Sequence, residues 1–406
     1  MKAMGPIPRG YEVDADGRLM IGGRNVEALI GDAGGTPLFV YETRGIAGQV
    51  ARFRAAFPDD VALHYAVKAN PYSPLLEAIA QMVDGFDVAS AGELGKVAHL
   101  GLPISFAGPG KRDAELERAI RAGITINLES EAEAKRALAI GERLGNTPKL
   151  AVRVNPPFGL KGSGMKMGGL GTQFGIDHDQ VPALVRDLVD AGAEWRGLHI
   201  YAGSQALSAD ALIDLQRETI ALAGSIADAV GRAPPTVNLG GGFGIPYFAG
   251  DRPLDLEAVG SALAKTLENR PELLRDTEFA IELGRWLVGE AGVYLARIVD
   301  RKVSRGKTFL VTDGGLHHML AASGNFGQLL RRNYPVAIAG RFTAPAEEEA
   351  SIVGCLCTPL DLLADEVAIP AAEVGDLVAI FCAGAYGLSA SPVGFLAQPA
   401  AREMLV

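Results

Sequence analysis

Leu63-His64-Tyr65-Ala66-Val67-Lys68-Ala69-Asn70 is an apolar run that rises into a lysine and is stopped by Asn70-Pro71. Its length and near-continuous apolar character predict a buried parallel strand over 63–69, with Lys68 near its C-terminal end. A buried ammonium is costly unless it is paired or used covalently. Lysines whose pKa is lowered by burial form Schiff bases. The competing reading is a lysine whose head reaches solvent at the strand end. The flanking sequence decides between the two.

On both sides apolar strands alternate with amphipathic helices. Strands are predicted over 63–69, 84–90, 104–109, 124–128, 149–155, 195–202, 236–240 and 278–283. Helices are predicted over 74–82, 91–100, 113–122, 131–144, 180–191, 208–230 and 255–269. Ser73-Pro74 reads as a cap followed by proline at the first helical position. Ser90…Glu93 and Ser130…Glu133 read as capping boxes. This alternation predicts a (β/α)8 TIM barrel, with a doubly wound open sheet as the rival. The barrel is favoured because Lys68, Asp87, Glu129, Arg153, Asn155, His199, Gly240–Gly242, Glu282 and Arg285 all fall at or just past strand C-termini. A barrel brings those ends to one face. The connection from Pro156 to Asp177 is long and glycine-rich, which predicts a lid or a disordered excursion.

The barrel is expected over 36–286. Residues 1–35 carry Asp16-Gly17 and Gly22-Gly23 turns and suggest a small β element. After about 286, short β-patterned runs (Val293–Val299, Thr308–Thr312, Glu349–Val353, Leu377–Phe381) predict a second, mainly β domain of sandwich or barrel type. Residues 1–35 are expected to join it. A net charge of −10 argues against a nucleic-acid or anionic-membrane surface. Three cysteines are too few for a disulfide framework. Met1–Pro6 lacks a signal-peptide apolar core, and no run is long enough to span a bilayer, so a cytoplasmic protein is expected.

Strand seven runs into Gly240-Gly241-Gly242, and consecutive glycines let backbone N–H groups cradle an anion. A flexible turn is the bland alternative. Strand eight ends in Glu282-Leu283-Gly284-Arg285, and barrels often bind phosphate with the loops after strands seven and eight. A phosphorylated aldehyde, held by a Schiff base to Lys68 and by its phosphate, fits all three features. Cys355-Leu356-Cys357 has no histidine pair of zinc-ligand type beside it, so no metal site is expected. His317 and His318 are adjacent, and on a strand would point to opposite faces.

The chain resembles the fold-type III pyridoxal-phosphate decarboxylases, the group containing the diaminopimelate, ornithine and arginine decarboxylases. The likeness is carried by Tyr65–Asn70, Phe86–Glu93, Arg153–Pro156, His199–Gln205, Asn238–Gly242, Glu282–Arg285, Cys357–Asp361 and Gly384–Tyr386, in the family's order. Lys161–Gly169, Thr312–His318 and Arg332–Pro335 are similar to two subgroups. These are the exosortase-associated decarboxylases of exopolysaccharide gene clusters and the glutamyl-carrier-protein decarboxylase of butirosin biosynthesis. The resemblance implies an alanine-racemase-type barrel, pyridoxal 5′-phosphate as cofactor and a homodimer with shared active sites.

It also implies roles. Lys68 would carry the cofactor, and His199 would stack on its ring, although a lone histidine is more often a satisfied core residue. Ser204, Gly241, Gly242, Gly284, Arg285 and Tyr386 would receive the phosphate. Arg153 and Asp87 would orient the lysine and the cofactor; the alternative is a structural ion pair. Glu282 would face the pyridine nitrogen, where an anion favours the protonated ring and its capacity to accept electrons. Cys357 would act from the partner subunit as the acid that protonates Cα. Arg285, Thr358 and Asp361 would meet the substrate.

Thr358 is a departure, because diaminopimelate and ornithine decarboxylases carry an acid at this position to engage a distal ammonium. An aminoacyl group on an acyl carrier protein is therefore expected as substrate, with Lys161, Lys166, Arg331 and Arg332 available to a pantetheine phosphate or an acidic carrier surface. The rival readings are a decarboxylase of free diaminopimelate, ornithine or lysine, an amino-acid racemase, and a non-catalytic cofactor-binding protein.

Overall fold

The computed structural model describes residues 1–160, 165–166, 168–169, 171–326, 328 and 331–406; Lys161 and its immediate neighbours in the glycine-rich connection lie outside the described residues. Contacts divide the chain into two units. One comprises Gln49–Gly244 and Pro253–Gly284, the other Met1–Gly48, Ile245–Arg252 and Arg285–Val406.

The first unit is a closed parallel barrel. Its strands are Val61–Ala66, Gly85–Val88, Ile104–Phe106, Thr125–Leu128, Lys149–Asn155, Glu194–Ile200, Thr236–Asn238 and Glu278–Leu283. Each pairs in parallel with the next, and the last closes on the first with Phe279 opposite Val61 and Leu283 opposite Tyr65. Closure removes both sheet edges, which rules out the open-sheet rival. Period-two alternation turns Leu63 and Tyr65 into the fully buried layer under the helices.

Helix starts differ in detail from expectation. The first-turn glutamates reach one residue further back than a capping box. Glu93 accepts from the Ala89 N–H at 2.6 Å and Glu133 from the Glu129 N–H at 2.7 Å, while Ser90 and Ser130 cap as expected. Ser73 is itself the first helical residue of Ser73–Ile79 and caps nothing. Glu133 has a second function, since its other oxygen accepts from buried Lys111 Nζ at 2.8 Å. Lys111 also donates to the Gly108 and Asn127 carbonyls. Burial pushes the Lys111 pKa down, and the Glu133 carboxylate opposes this. Removing one partner strands a buried charge, so Glu133→Ala is expected to cost about 3–5 kcal/mol, read as a lower urea midpoint with an unchanged slope. A loss under about 1 kcal/mol would mean that water reaches the pair.

The second unit is mainly β. Its sheet runs Val336–Ile338, Leu377–Ile380, Gly292–Ser304, Lys307–Thr312, Glu348–Val353, Leu362–Ile369. Leu38–Tyr41 pairs antiparallel with Gly292–Leu295 and parallel with Arg402–Leu405. The segment from 36 to 41 thus belongs to this sheet and not to the barrel, where the alternating pattern had put it. Its core includes Leu19, Ile21, Leu29, Leu38, Val293 and Phe381, so the N-terminal β element and the helix Val26–Ala33 fold into it. No helix among the described residues is long and apolar enough to cross a membrane.

Candidate active site

The C-terminal ends of the barrel strands collect the polar residues singled out in the sequence. The first strand stops at Ala66, and Val67–Ala69 forms a 3-10 turn. Lys68 is consequently exposed, not buried at a strand end, with Nζ 5.3 Å from the Tyr201 ring centroid. The tighter turn rotates the lysine off the strand's two-residue alternation while Val67 and Ala69 stay buried.

Glu282 and His199 are joined directly. His199 Nε2 lies 2.9 Å from Glu282 Oε2, and Asn238 Nδ2 donates to the same oxygen at 3.3 Å. Burial alone would raise the Glu282 pKa. The His199 imidazole, then Lys68 and Arg153, outweigh burial and hold it at about 2, so Glu282 is a buried anion. His199 Nδ1 is buried without a partner among the described residues.

Asp87 and Arg153 do not pair with one another. Asp87 Oδ2 lies 3.4 Å from His64 Nδ1. Arg153 donates to Glu129 Oε1 at 2.8 Å, and Glu129 also accepts from the Gly108 and Gly175 N–H groups. Burial raises the Glu129 pKa, but Arg153 and these donors bring it below the ordinary value. His64 and Glu129 had no assigned role from sequence. The available signal was position: His64 alternates with Leu63 and Tyr65 and so faces the lumen.

The glycine loop packs too closely for any side chain. A Cβ on Gly241 would stand 1.9 Å from the Glu282 carbonyl oxygen, and one on Gly242, whose φ is +81°, 2.4 Å from that of Gly203. A Cβ on Gly284 would meet Ala69 Cβ at 2.8 Å, beside the turn that carries Lys68. Ser204 is buried and pairs with Met165 through the backbone.

Within the β unit, Arg285 donates to Tyr247 Oη at 3.0 Å, and its guanidinium carbon lies 4.7 Å from the Tyr386 ring centroid. Burial raises the Tyr247 pKa to about 12 against the opposing pull of Arg285. Arg285 Nε is buried with no acceptor among the described residues. Tyr386 is held at φ +54°, a strained conformation for a non-glycine residue.

Cys357 is exposed on the bend that follows Glu348–Val353, and Thr358 beside it is half-buried. Asp361 does not present a free carboxylate to a substrate. It is buried, and its oxygens accept from the Leu316 N–H at 2.6 Å and the Leu356 N–H at 2.8 Å, stapling two loops together. His317 and His318 lie in a turn, not a strand, with ring centroids 3.8 Å apart. Burial, then His317, lowers the His318 pKa to about 4.

A primary amine at the barrel mouth, a buried carboxylate kept ionised and a side-chain-free glycine cradle, all within the barrel unit, fit a phosphorylated aldehyde cofactor with a basic ring nitrogen. The fold and donor set define the class of barrel enzymes that use pyridoxal phosphate. Residues 43–289 match the family model described as "Pyridoxal-dependent decarboxylase, pyridoxal binding domain". The L-glutamyl-[BtrI acyl-carrier protein] decarboxylase of Niallia circulans is 37% identical, over 91% of this chain and 88% of that protein. The diaminopimelate decarboxylase of Archaeoglobus fulgidus is 31% identical over 97% and 92%. The crystal structure of diaminopimelate decarboxylase from M. jannaschii with L-lysine superposes with a TM-score of 0.88 at 26% identity, over 98% and 93%. The chain belongs to the pyridoxal-dependent decarboxylase family, and it is a pyridoxal-phosphate-dependent amino-acid decarboxylase.

Proposed function

We propose that the enzyme removes the α-carboxylate of an L-amino acid presented as an aminoacyl thioester on an acyl carrier protein. The observation that carries this reading is Thr358, a neutral side chain next to exposed Cys357. A site that takes a distal ammonium out of water must supply a counter-charge, and Thr358 cannot. Asp361 is buried, with its oxygens turned to the Leu316 and Leu356 backbone amides. The Niallia circulans relative, named for a glutamyl group on an acyl-carrier protein, supports the same direction.

Pyridoxal phosphate, when bound, supplies the conjugated ring that accepts the electron pair left as CO2 departs. Lys68 is the residue proposed to hold it covalently through Nζ, with Ser204, Gly241, Gly242, Gly284, Arg285 and Tyr386 holding the phosphate. The Glu282 carboxylate keeps a proton on the ring nitrogen, because a buried anion favours the charged form of its neighbour. His199 orients Glu282 through its 2.9 Å contact, and its imidazole would pack against the cofactor ring. Arg153, fixed by Glu129, and Asp87, beside His64, steady the Lys68 end of the barrel mouth. The Cys357 thiol delivers a proton to Cα after CO2 leaves.

Cys357 is proposed to act on the site of a partner subunit in a homodimer. Mixing inactive Lys68→Ala with inactive Cys357→Ala subunits is then expected to recover activity, since some heterodimers contain one site with both native residues. No recovery despite demonstrated subunit exchange would assign both residues to one protomer's site.

The substrate is tested by comparing CO2 release from free glutamate, lysine, ornithine and diaminopimelate with release from glutamyl- and other aminoacyl-carrier thioesters. A thioester is expected to exceed every free amino acid in kcat/KM by about a hundredfold or more, as when recognition of one charged or polar group decides between substrates. Efficient turnover of a free diamino acid, without preference for the tethered form, would leave a decarboxylase of ordinary family specificity.

A further inference from the structure

Lys2, Ala249, Arg331, Arg332, Asn333 and Asp365 line a cavity of about 320 Å3 within the β unit. Three cations face one carboxylate there. Lys2 is already committed, forming ion pairs with Asp365 and, at 3.5 Å, with Glu366. Neither arginine forms an ion pair among the described residues. Arg331 donates Nη2 to the Leu362 carbonyl, and its buried Nε meets no acceptor among the described residues. The exposed Arg332 guanidinium sits over an aromatic ring, its central carbon 3.8 Å from the Phe248 centroid. Stacking fixes the plane of a guanidinium and leaves the N–H groups on its edge free for an oxyanion, which a planar fork binds through two bonds.

Phe248 is one end of an aromatic wall. Its ring centroid is 5.9 Å from Tyr247 and 5.7 Å from Tyr334, and those two rings are 4.7 Å apart. Tyr247 in turn receives Arg285. These rings are buried behind the cavity and back Arg332 on one side and, through Tyr247, Arg285 on the other. A ligand that brings a phosphate oxyanion matches the cavity through the guanidinium edges of Arg331 and Arg332.

We infer that this cavity binds the phosphodiester of the pantetheine arm of the acyl carrier. The inference rests on the carrier-linked reading above and adds to it the place where the arm is held. Asp365 occupies Lys2, so the two arginines are the cations left to meet the phosphate oxygens.

The test is calorimetric binding of three probes to the holoenzyme: 4′-phosphopantetheine, pantetheine and inorganic phosphate. The phosphorylated arm is expected to bind about tenfold or more tightly than pantetheine, the worth of a charge-assisted hydrogen bond. Arg332→Ala, at an exposed position that does not endanger folding, is expected to erase that difference. Its KM for an aminoacyl-carrier thioester is expected to rise by a similar factor. Equal binding of pantetheine and its phosphate by the unmodified enzyme would overturn the inference. So would inorganic phosphate binding as tightly as the phosphorylated arm, or an undiminished preference in Arg332→Ala. Phosphate-dependent arm binding without turnover of any carrier thioester would remove the proposed substrate and keep the cavity. Turnover of carriers with no phosphate preference would do the reverse.

Discussion

Lys68→Ala is expected to release the cofactor from covalent attachment and to abolish CO2 production. The purified native enzyme should carry the visible absorption band of the bound cofactor, and borohydride should fix it to Lys68. The variant should lose both signals while keeping its thermal transition, because Lys68 is exposed on a 3-10 turn and its truncation opens no cavity. The physical reason for the size of the effect is positional. Val67 and Ala69 anchor the turn in the core and Gly284 packs against Ala69, so Nζ emerges from a fixed backbone at the barrel mouth. Another lysine would have to reproduce that origin. Reduced label on Lys166 or Lys161 in the native enzyme would move the attachment point and refute the assignment.

Glu282→Arg is the second large effect. The native carboxylate is buried and ionised at about pKa 2, with the His199 imidazole as its nearest charge-bearing neighbour. Replacing it by a cation reverses the field at the proposed ring nitrogen, so the ring loses its proton and its capacity to accept the electron pair. A fall in kcat of about 10²–10³ or more is expected, by comparison with removal of one preorganised electrostatic group. Arginine is also larger than glutamate, so Glu282→Gln is the companion variant. It keeps the shape and removes only the charge. Both should slow CO2 release, with Gln the milder, and the cofactor band should shift while far-UV circular dichroism stays native. CO2 release near the native rate in a folded Glu282→Gln enzyme would show that the carboxylate does not set the electronics of the site.

What the sequence by itself determined was periodicity and direction. Eight apolar runs in alternation with amphipathic helices dictate a parallel barrel, because each strand must be buried on both faces and each crossover must return on the same side. Direction then puts Lys68, Asp87, Arg153, His199 and Glu282 on one mouth, since strand C-termini converge there whatever the register. Pairing between these residues was not legible. Three acidic groups and several cations share that mouth, and no local signal tells Arg153 to choose Glu129 and leave Asp87 to His64. The His199–Glu282 bond joins residues 83 positions apart, and it exists only because strands six and eight approach the lumen through Asn238 between them. Leu38–Tyr41 has the composition of a barrel strand, yet Gly292–Leu295 and Arg402–Leu405 offered it two partners in the other unit. Asp361 sits in a motif that reads as substrate-binding, and closure of two loops around it turned its oxygens to the Leu316 and Leu356 backbone amides. In each case the residue type and its strand were set by short-range pattern. The partner was decided by long-range packing, in which several chemically acceptable choices compete and only the folded geometry brings one of them within 3 Å or so.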